Sequence, residues 1–501
     1  MKTINILVAL FILLVHIPTN GNSMSNDKVI LKINKENPII SIKVWFKVGS
    51  QDDPKGKEGL SYLTASMLTQ GGTAKNTFAS MTEKLFPLAS YYSARPSVEM
   101  TIFEGKTHKD NFDEFVSLFN EQITEPGFRE EDFTRLKNDA LNYIETTLRY
   151  SSDEELGKAV LYNTIFNGTP YGHILQGTIS GLKSITLEDV KNFYSTYFNR
   201  ENYVVAITGD LSQAQVSKIT DALEKLNPGK ENTPPAIKAE KIEGINVVII
   251  EKQANATAIS MGYPIDLVRG NREWYALSIA NSWLGEHRNS SSHLYQIIRE
   301  ERGLNYGDYS YIENFPNGGR FQMPNPNAPK RHQIFEIWIR PVPNETKHFA
   351  FRAAIREFEK LLKNGMTDDT YSATRSFLRN YVLNYAPTED ARLGYMIDDK
   401  FYNIPAPGHI ETFRNLMSKI SLAEVNDAIK KNFQSENMVI VFITPDAEAL
   451  KNALVNNESS PIVYSSPKSD FILEEDKEII NYPIKIKAEN IKIVKVDELF
   501  N

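Results

Sequence analysis

Ile185-Thr186-Leu187-Glu188-Asp189-Val190, followed by Phe198 and by Glu201-Asn202-Tyr203-Val204-Val205, occurs twice in the chain. The second copy is Ile420-Ser421-Leu422-Ala423-Glu424-Val425, Phe433 and Glu436-Asn437-Met438-Val439-Ile440. The offset is 235 residues throughout, and seven of 21 positions are identical. Each copy reads as a helix capped by the Thr186 or Ser421 hydroxyl, a turn at Glu-Asn, and a buried strand. A repeat at this spacing predicts a duplicated domain.

The two copies also begin alike. Val29-Leu31-Ile33 alternates, and Ile40-Ile42-Val44-Phe46-Val48 alternates with Ser41, Lys43 and Lys47. That pattern predicts a half-buried antiparallel pair turning near Asn37-Pro38. Val247-Val248-Ile249-Ile250 and Ala258-Ile259-Ser260-Met261 take the same parts in the second copy. Asn227-Pro228-Gly229 through Thr233-Pro234-Pro235 lies between them and reads as a proline-rich linker. The expected fold is therefore α+β. It has two homologous domains, 23–226 and 244–455, joined by a linker at 227–243, each a largely antiparallel sheet with helices on one face. A tail, 456–501, differs in texture. Glu474-Glu475-Asp476-Lys477 reads as a solvated turn, while Ile484-Lys485-Ile486-Lys487 and Ile491-Lys492-Ile493 read as edge strands guarded by lysine.

Composition removes several function classes. The 501 residues carry 56 basic and 63 acidic side chains, net −7, without a lysine–arginine stripe, which disfavours nucleic acid as a partner. Cysteine is absent, so disulfides, thiolate zinc sites, iron–sulfur clusters and cysteine nucleophiles are excluded. Lys2, the apolar run Ile4–Val15 and the polar Thr19–Ser23 describe a secretory signal peptide, expected at 1–22. The run is too short for a bilayer helix of ~20 residues, and no later segment qualifies. The expectation is an exported chain, periplasmic or secreted, with no membrane span after processing.

A helix is expected after the turn Gly49-Ser50-Gln51-Asp52-Asp53-Pro54. Leu60, Leu63, Met67 and Leu68 form its buried stripe, and Tyr62, Ala65 and Ser66 lie off that stripe. Here the chain resembles the insulinase/pitrilysin-type (inverzincin) peptidases, in the two-domain subfamily of mitochondrial processing peptidase and its bacterial relatives. The resemblance rests on Val44-Trp45-Phe46-Lys47-Val48-Gly49-Ser50…Gly59-Leu60, on Asn167-Gly168-Thr169-Pro170-Tyr171-Gly172-His173, and on Ile298-Arg299-Glu300-Glu301-Arg302-Gly303-Leu304-Asn305-Tyr306. It implies half of a clam-shell chamber. Active members carry H-x-x-E-H on this helix, two histidines holding Zn²⁺ and a glutamate activating its water, with a further Glu downstream. This sequence has Tyr62, Ala65 and Ser66 at those positions, and Asn142 or Tyr143 at the distal one. All four positions are without a ligand or base, so no metal is expected in this chain, and zinc only in a partner.

The second domain keeps something. A helix from about Ser291 burying Leu294, Ile297 and Ile298 should end at Gly303, with a strand from Leu304 to Tyr311. The resemblance implies that Arg299 and Tyr306 form a pair reaching towards substrate at the zinc site, an arginine for a peptide carbonyl and a phenol for a developing oxyanion. From the residues alone, Arg299 pairing with a neighbouring Glu stands as the alternative. Among the eight histidines only His287 and His293 are close. They are six apart and so on different helix faces, and Glu286-His287-Arg288 reads as a polar loop. His173 reads as structural. The expected function is a non-catalytic subunit of an exported metallopeptidase complex, binding peptides by β-addition and completing the site of a homologous H-x-x-E-H partner. The rivals are a homodimeric peptide-binding protein or holdase, and an active metallopeptidase with a relocated site.

Overall fold

A computed structural model describes residues 27–286, 290–315 and 324–501. The expected export segment at 1–22, and His287, lie outside the described residues. The chain builds two sheets of one design. The first contains β1 (Val29–Ile33), β2 (Ile39–Phe46), β3 (Tyr91–Pro96), β4 (Thr101–His108) and β5 (Tyr203–Gly209), in the order β1-β5-β2-β4-β3. The second contains β6 (Ile245–Glu251), β7 (Ala256–Ile265), β8 (Asp308–Tyr311), β9 (Gln333–Pro343) and β10 (Met438–Thr444) in the corresponding order β6-β10-β7-β9-β8, with β11 (Ile491–Lys495) added beside β6. The duplication thus appears in the topology.

That order corrects the expected hairpin. β1 and β2 are not neighbours, because β5 lies between them, parallel to β1 and antiparallel to β2. β10 likewise separates β6 from β7. The reason is burial: β5 and β10 are buried at every residue, so each needs a partner on both sides, whereas β1 is half exposed and suits an edge.

Both repeat helices start with a reciprocal capping box, Thr186 with Asp189 and Ser421 with Glu424. Helices cover one face of each sheet. Leu60–Gln70, Phe112–Thr124, Leu187–Tyr197 and Gln213–Leu223 pack on the first, and Arg272–Leu284, Lys347–Asn364, Leu422–Asn432 and Ala447–Val455 on the second.

The opposite faces are covered as well, by exchange between the domains. The first domain's helix Asp153–Ile165 lays Leu156, Val160, Leu161 and Ile165 on Ala258, Ile334, Val439, Val441 and Ile443 of the second sheet. The second domain's helix Glu389–Phe401 lays Leu393, Ile397 and Phe401 on Trp45, Ile102, Val204 and Ala206 of the first. The two helices occupy equivalent places in the repeat. Each begins at a hydroxyl cap, Ser152 or Thr388, followed by acidic residues. Those acids reach bases of the other domain: Glu154 meets Arg340 at 2.9 Å, and Asp390 meets the buried Lys43 at 3.2 Å.

The tail departs from expectation. Glu474–Lys477 lies within a helix, Asp470–Ile480, rather than a solvated turn. The cause is Arg302, whose side chain is wholly buried and is held by Asp476 at 2.9 Å and Glu475 at 2.8 Å. Ile484 and Ile486 are buried but form no strand, while the segment around Ile491–Ile493 is the edge strand β11. Residues 227–243 carry neither helix nor strand. The chain end returns to the first domain, where the Ile179 N–H donates to the Phe500 carbonyl at 2.8 Å. No helix among the described residues is long and apolar enough to cross a membrane.

Candidate functional site

The Leu60–Gln70 helix is positioned by its entry turn. Asp53 is buried and caps the helix, accepting from the Gly59 and Ser61 N–H groups at 2.7 Å each. Burial pushes its carboxyl up to about 6, with His173 nearby pulling the other way. Gly59 has φ +106°, and a Cβ there would stand 2.3 Å from the Gln176 carbonyl, so only glycine lets the two turns meet.

On this helix the Ser66 hydroxyl donates back to the Tyr62 carbonyl at 2.9 Å. The Tyr62 phenol, half-buried and pushed upward by that burial, meets the side chains of Ser66 and Gln176. Ala65 has no exposed surface and belongs to the core beneath. Asn142 ends the helix Glu130–Asn142 and accepts from Thr146 Oγ1 at 3.1 Å, while Tyr143 opens a π-helical segment, Tyr143–Leu148. These residues do not fit zinc. They supply a phenol, a methyl, an inward-bonded hydroxyl and an amide, with no imidazole or carboxylate among them. Among the described residues no three His, Cys, Asp or Glu side chains are grouped to hold a metal ion. His293, the described member of the histidine pair, is instead bonded to Glu357 at 2.6 Å and stacked on Trp283.

Arg299 lies in a second π-helical segment, Tyr295–Glu300, which leads to Gly303 at φ +70°. Its guanidinium pairs with Glu300 and lies 5.4 Å from the Tyr295 ring centroid. Tyr306 is not on a strand as expected, because the pairing with β9 begins only at Asp308, and Tyr306 sits in the bend before it, 79% exposed. No hydrogen bond joins Arg299 to Tyr306. The structure therefore brings Tyr62 and Ser66 together, and leaves Arg299 and Tyr306 separately presented at the surface.

Two features went unread in the sequence. β3 is an edge strand flanked by a groove of about 400 Å³, lined by Phe78, Leu85, Phe86, Tyr91 and Tyr92. A second cavity, between the domains, is lined by Tyr143 and Gln176 on one side and by Lys330, Glu336 and Trp338 on the other. Its residues come from stretches far apart in the sequence, so no local pattern marks it.

Family comparison agrees with this architecture. A model described as insulinase (peptidase family M16) matches residues 28–179, and one described as peptidase M16 inactive domain matches residues 184–378. Together they cover more than half of the chain, which belongs to peptidase family M16. It is 23% identical over 323 residues to an uncharacterized zinc protease of Rickettsia bellii, spanning 64% of this chain and 75% of that one. It is 23% identical over 421 residues to the non-peptidase homolog YmxG of Helicobacter pylori, spanning 83% and 91% respectively. A crystal structure of a peptidase M16 inactive domain from Pseudomonas fluorescens superposes with a TM-score of 0.72 at 22% identity, over 84% of this chain and 97% of that chain. That likeness speaks for the fold.

Proposed function

We propose that this chain is the non-catalytic subunit of an exported insulinase-like metallopeptidase, binding peptides and completing the active site of a homologous partner that carries H-x-x-E-H. One observation carries the reading. The helix that bears the zinc motif in active members is intact in backbone and packing, yet its three functional positions are turned to internal use. A scaffold preserved without its ligands fits a supporting role. The relative named a non-peptidase homolog, matched over 91% of its length, supports the same reading.

Arg299 and Tyr306 would be this chain's contribution to the partner's site. The Arg299–Glu300 pair is exposed and adjacent in sequence, the kind of pair worth only ~0–1 kcal/mol, so a peptide carbonyl can replace Glu300 at little cost. The Tyr306 phenol, already in solvent, needs no rearrangement to donate. The β3 edge offers main-chain groups for β-addition, and its apolar groove takes alternate side chains.

The test is reconstitution. Purified alone, the chain should hydrolyse no peptide. Mixed with the H-x-x-E-H homologue from the same source, it should form a complex by light scattering and restore chelator-sensitive hydrolysis. Chelator-sensitive hydrolysis by the chain alone, or a monomer in the mixture, would overturn the reading.

A further inference from the structure

The cavity between the domains holds buried polar side chains without hydrogen-bond partners, the Tyr162 hydroxyl and Asn163 Oδ1, beside a lysine, Lys330. On its second-domain wall, Glu336 and Trp338 project from β9 towards the first domain, and the Trp338 indole donates to Glu336 at 2.8 Å. On its first-domain wall, Glu155, Lys158, Ala159 and Tyr162 lie along one face of the helix Asp153–Ile165. The walls are joined by two cation–π contacts running in opposite directions. Lys158 Nζ sits 3.8 Å from the Trp338 ring centroid, and Lys330 Nζ sits 3.6 Å from the Tyr162 ring centroid.

The two lysines differ in what else they hold. Lys158 is neutralised by Glu154 at 3.0 Å and Glu155 at 2.9 Å. Lys330 is 6% exposed, and its ammonium faces the Tyr162 ring, drawn towards the carboxylates of Glu336 and Glu99 without an ion pair to either. Beside it, the Tyr162 hydroxyl and Asn163 Oδ1 are also buried without partners. Burial lowers Lys330 to about 7 and raises Glu336 to about 7, with the attraction between the two opposing both shifts. The remaining wall is mixed, with Val98, Leu148 and Phe315 as its apolar part and His173, Gln176 and Asn314 as its polar part.

Within this lining, Lys330, the Tyr162 hydroxyl and Asn163 Oδ1 lie beside the apolar Leu148 and Phe315, an arrangement that suits the end of a peptide. We infer that the cavity binds the carboxylate end of a peptide. The terminal carboxylate meets Lys330 and the Tyr162 hydroxyl, the last amide N–H donates to Asn163 Oδ1, and an apolar terminal side chain lies against Phe315 and Leu148. The cavity measures about 220 Å³, below the ~300–1,000 Å³ of pockets that enclose larger ligands, so it holds a chain end rather than a passing chain. This deepens the peptide-binding part of the proposed function and does not depend on the partner subunit.

Calorimetry on the full chain alone tests it, using N-acetyl-leucyl-phenylalanine, its C-terminal amide, and N-acetyl-glutamate α-amide. The free acid should bind. The amide, which loses a charge-assisted hydrogen bond, should bind at least about tenfold more weakly. The glutamate derivative, whose carboxylate is on a side chain, should bind no better than the amide. Lys330→Met should abolish the preference for the acid. Should that variant not fold, acylation of Lys330 by an amine reagent, read by mass spectrometry, should be slowed by the acid and not by the amide. Equal binding of acid and amide, equal binding of the glutamate derivative, an acid preference surviving in Lys330→Met, or no binding at millimolar acid would each overturn the inference. None of these outcomes bears on whether a partner's turnover is restored.

Discussion

Leu161→Ala tests how the two domains share their stability. Leu161 lies on the first domain's helix Asp153–Ile165, is fully buried, and packs on the second sheet rather than its own. Truncation leaves a cavity in an interior that can close only partly, costing about 3 kcal/mol. The larger question is where that cost is felt. Unfolding the second domain alone would bare one face of the first sheet by removing Leu393, Ile397 and Phe401, and unfolding the first alone would do the reciprocal. Each partial state therefore exposes apolar surface in the domain that remains, so the two should open as one unit. Hydrogen exchange read by mass spectrometry separates the possibilities. In wild type, β2 and β10 should exchange through an opening of the same free energy. In Leu161→Ala both should accelerate by roughly a hundredfold, since 1.4 kcal/mol corresponds to a factor of ten. Acceleration confined to β10, with β2 unchanged, would show independent domains and refute the argument.

Glu475 provides a pH test. Arg302, Arg356 and Lys360 surround its carboxylate at 2.8, 2.9 and 3.2 Å and hold it down at about 2. A carboxylate with a depressed folded-state value contributes stability above its ordinary value near 4.5 that is lost as pH falls towards 2. Acid unfolding between pH 4.5 and 2 should therefore release the Asp470–Ile480 helix. Glu475→Gln should destabilise the chain at pH 7 and flatten that pH dependence, and an unaltered acid profile in the variant would refute the assignment. Ala65→Glu, which replaces a buried methyl in the first core with a carboxylate, should cost roughly 3–5 kcal/mol and yield no stoichiometric zinc; wild-type melting or one bound zinc per chain would contradict the description of this helix. Tyr62→Phe and Ser66→Ala remove groups that serve only their own helix and the neighbouring turn, so a reconstituted complex should keep its turnover; a tenfold loss would give those positions a role denied here.

Local features were legible in the sequence. The repeat located both helix caps and both buried strands, because caps and hydrophobic runs are set by residues within a few positions of each other. Leu294, Ile297 and Ile298 and the stop at Gly303 follow from the same short-range logic. Features that depend on distant partners were not legible. The insertion of β5 between β1 and β2 is settled by which strand needs both edges paired, which an alternation of apolar residues does not report. Glu474–Lys477 reads as solvated until Arg302, more than 170 residues earlier, arrives to hold Glu475 and Asp476. The exchange of helices between domains and the cavity beneath it are likewise products of long-range packing. At the site, the loss of zinc ligands at Tyr62, Ala65 and Ser66 is a matter of residue identity and needs only the sequence. The exposure of Tyr306 in a bend needed the structure, since Tyr309 and Tyr311 extend the same apolar-looking run into the sheet.

The central claim is that Arg299 acts in a partner's catalytic site. Peptide turnover by a reconstituted complex, measured for wild type and Arg299→Ala at matched complex concentration, tests it directly. Arg299 is partly exposed, and among the described residues its side chain is bonded to its neighbour Glu300 and lies over the Tyr295 ring, so its removal should leave the melting temperature and complex formation unchanged. Turnover should fall by ~10²–10³, the loss that follows removal of one preorganised donor to transition-state charge. Full turnover in an Arg299→Ala complex that assembles and melts like wild type would contradict the account.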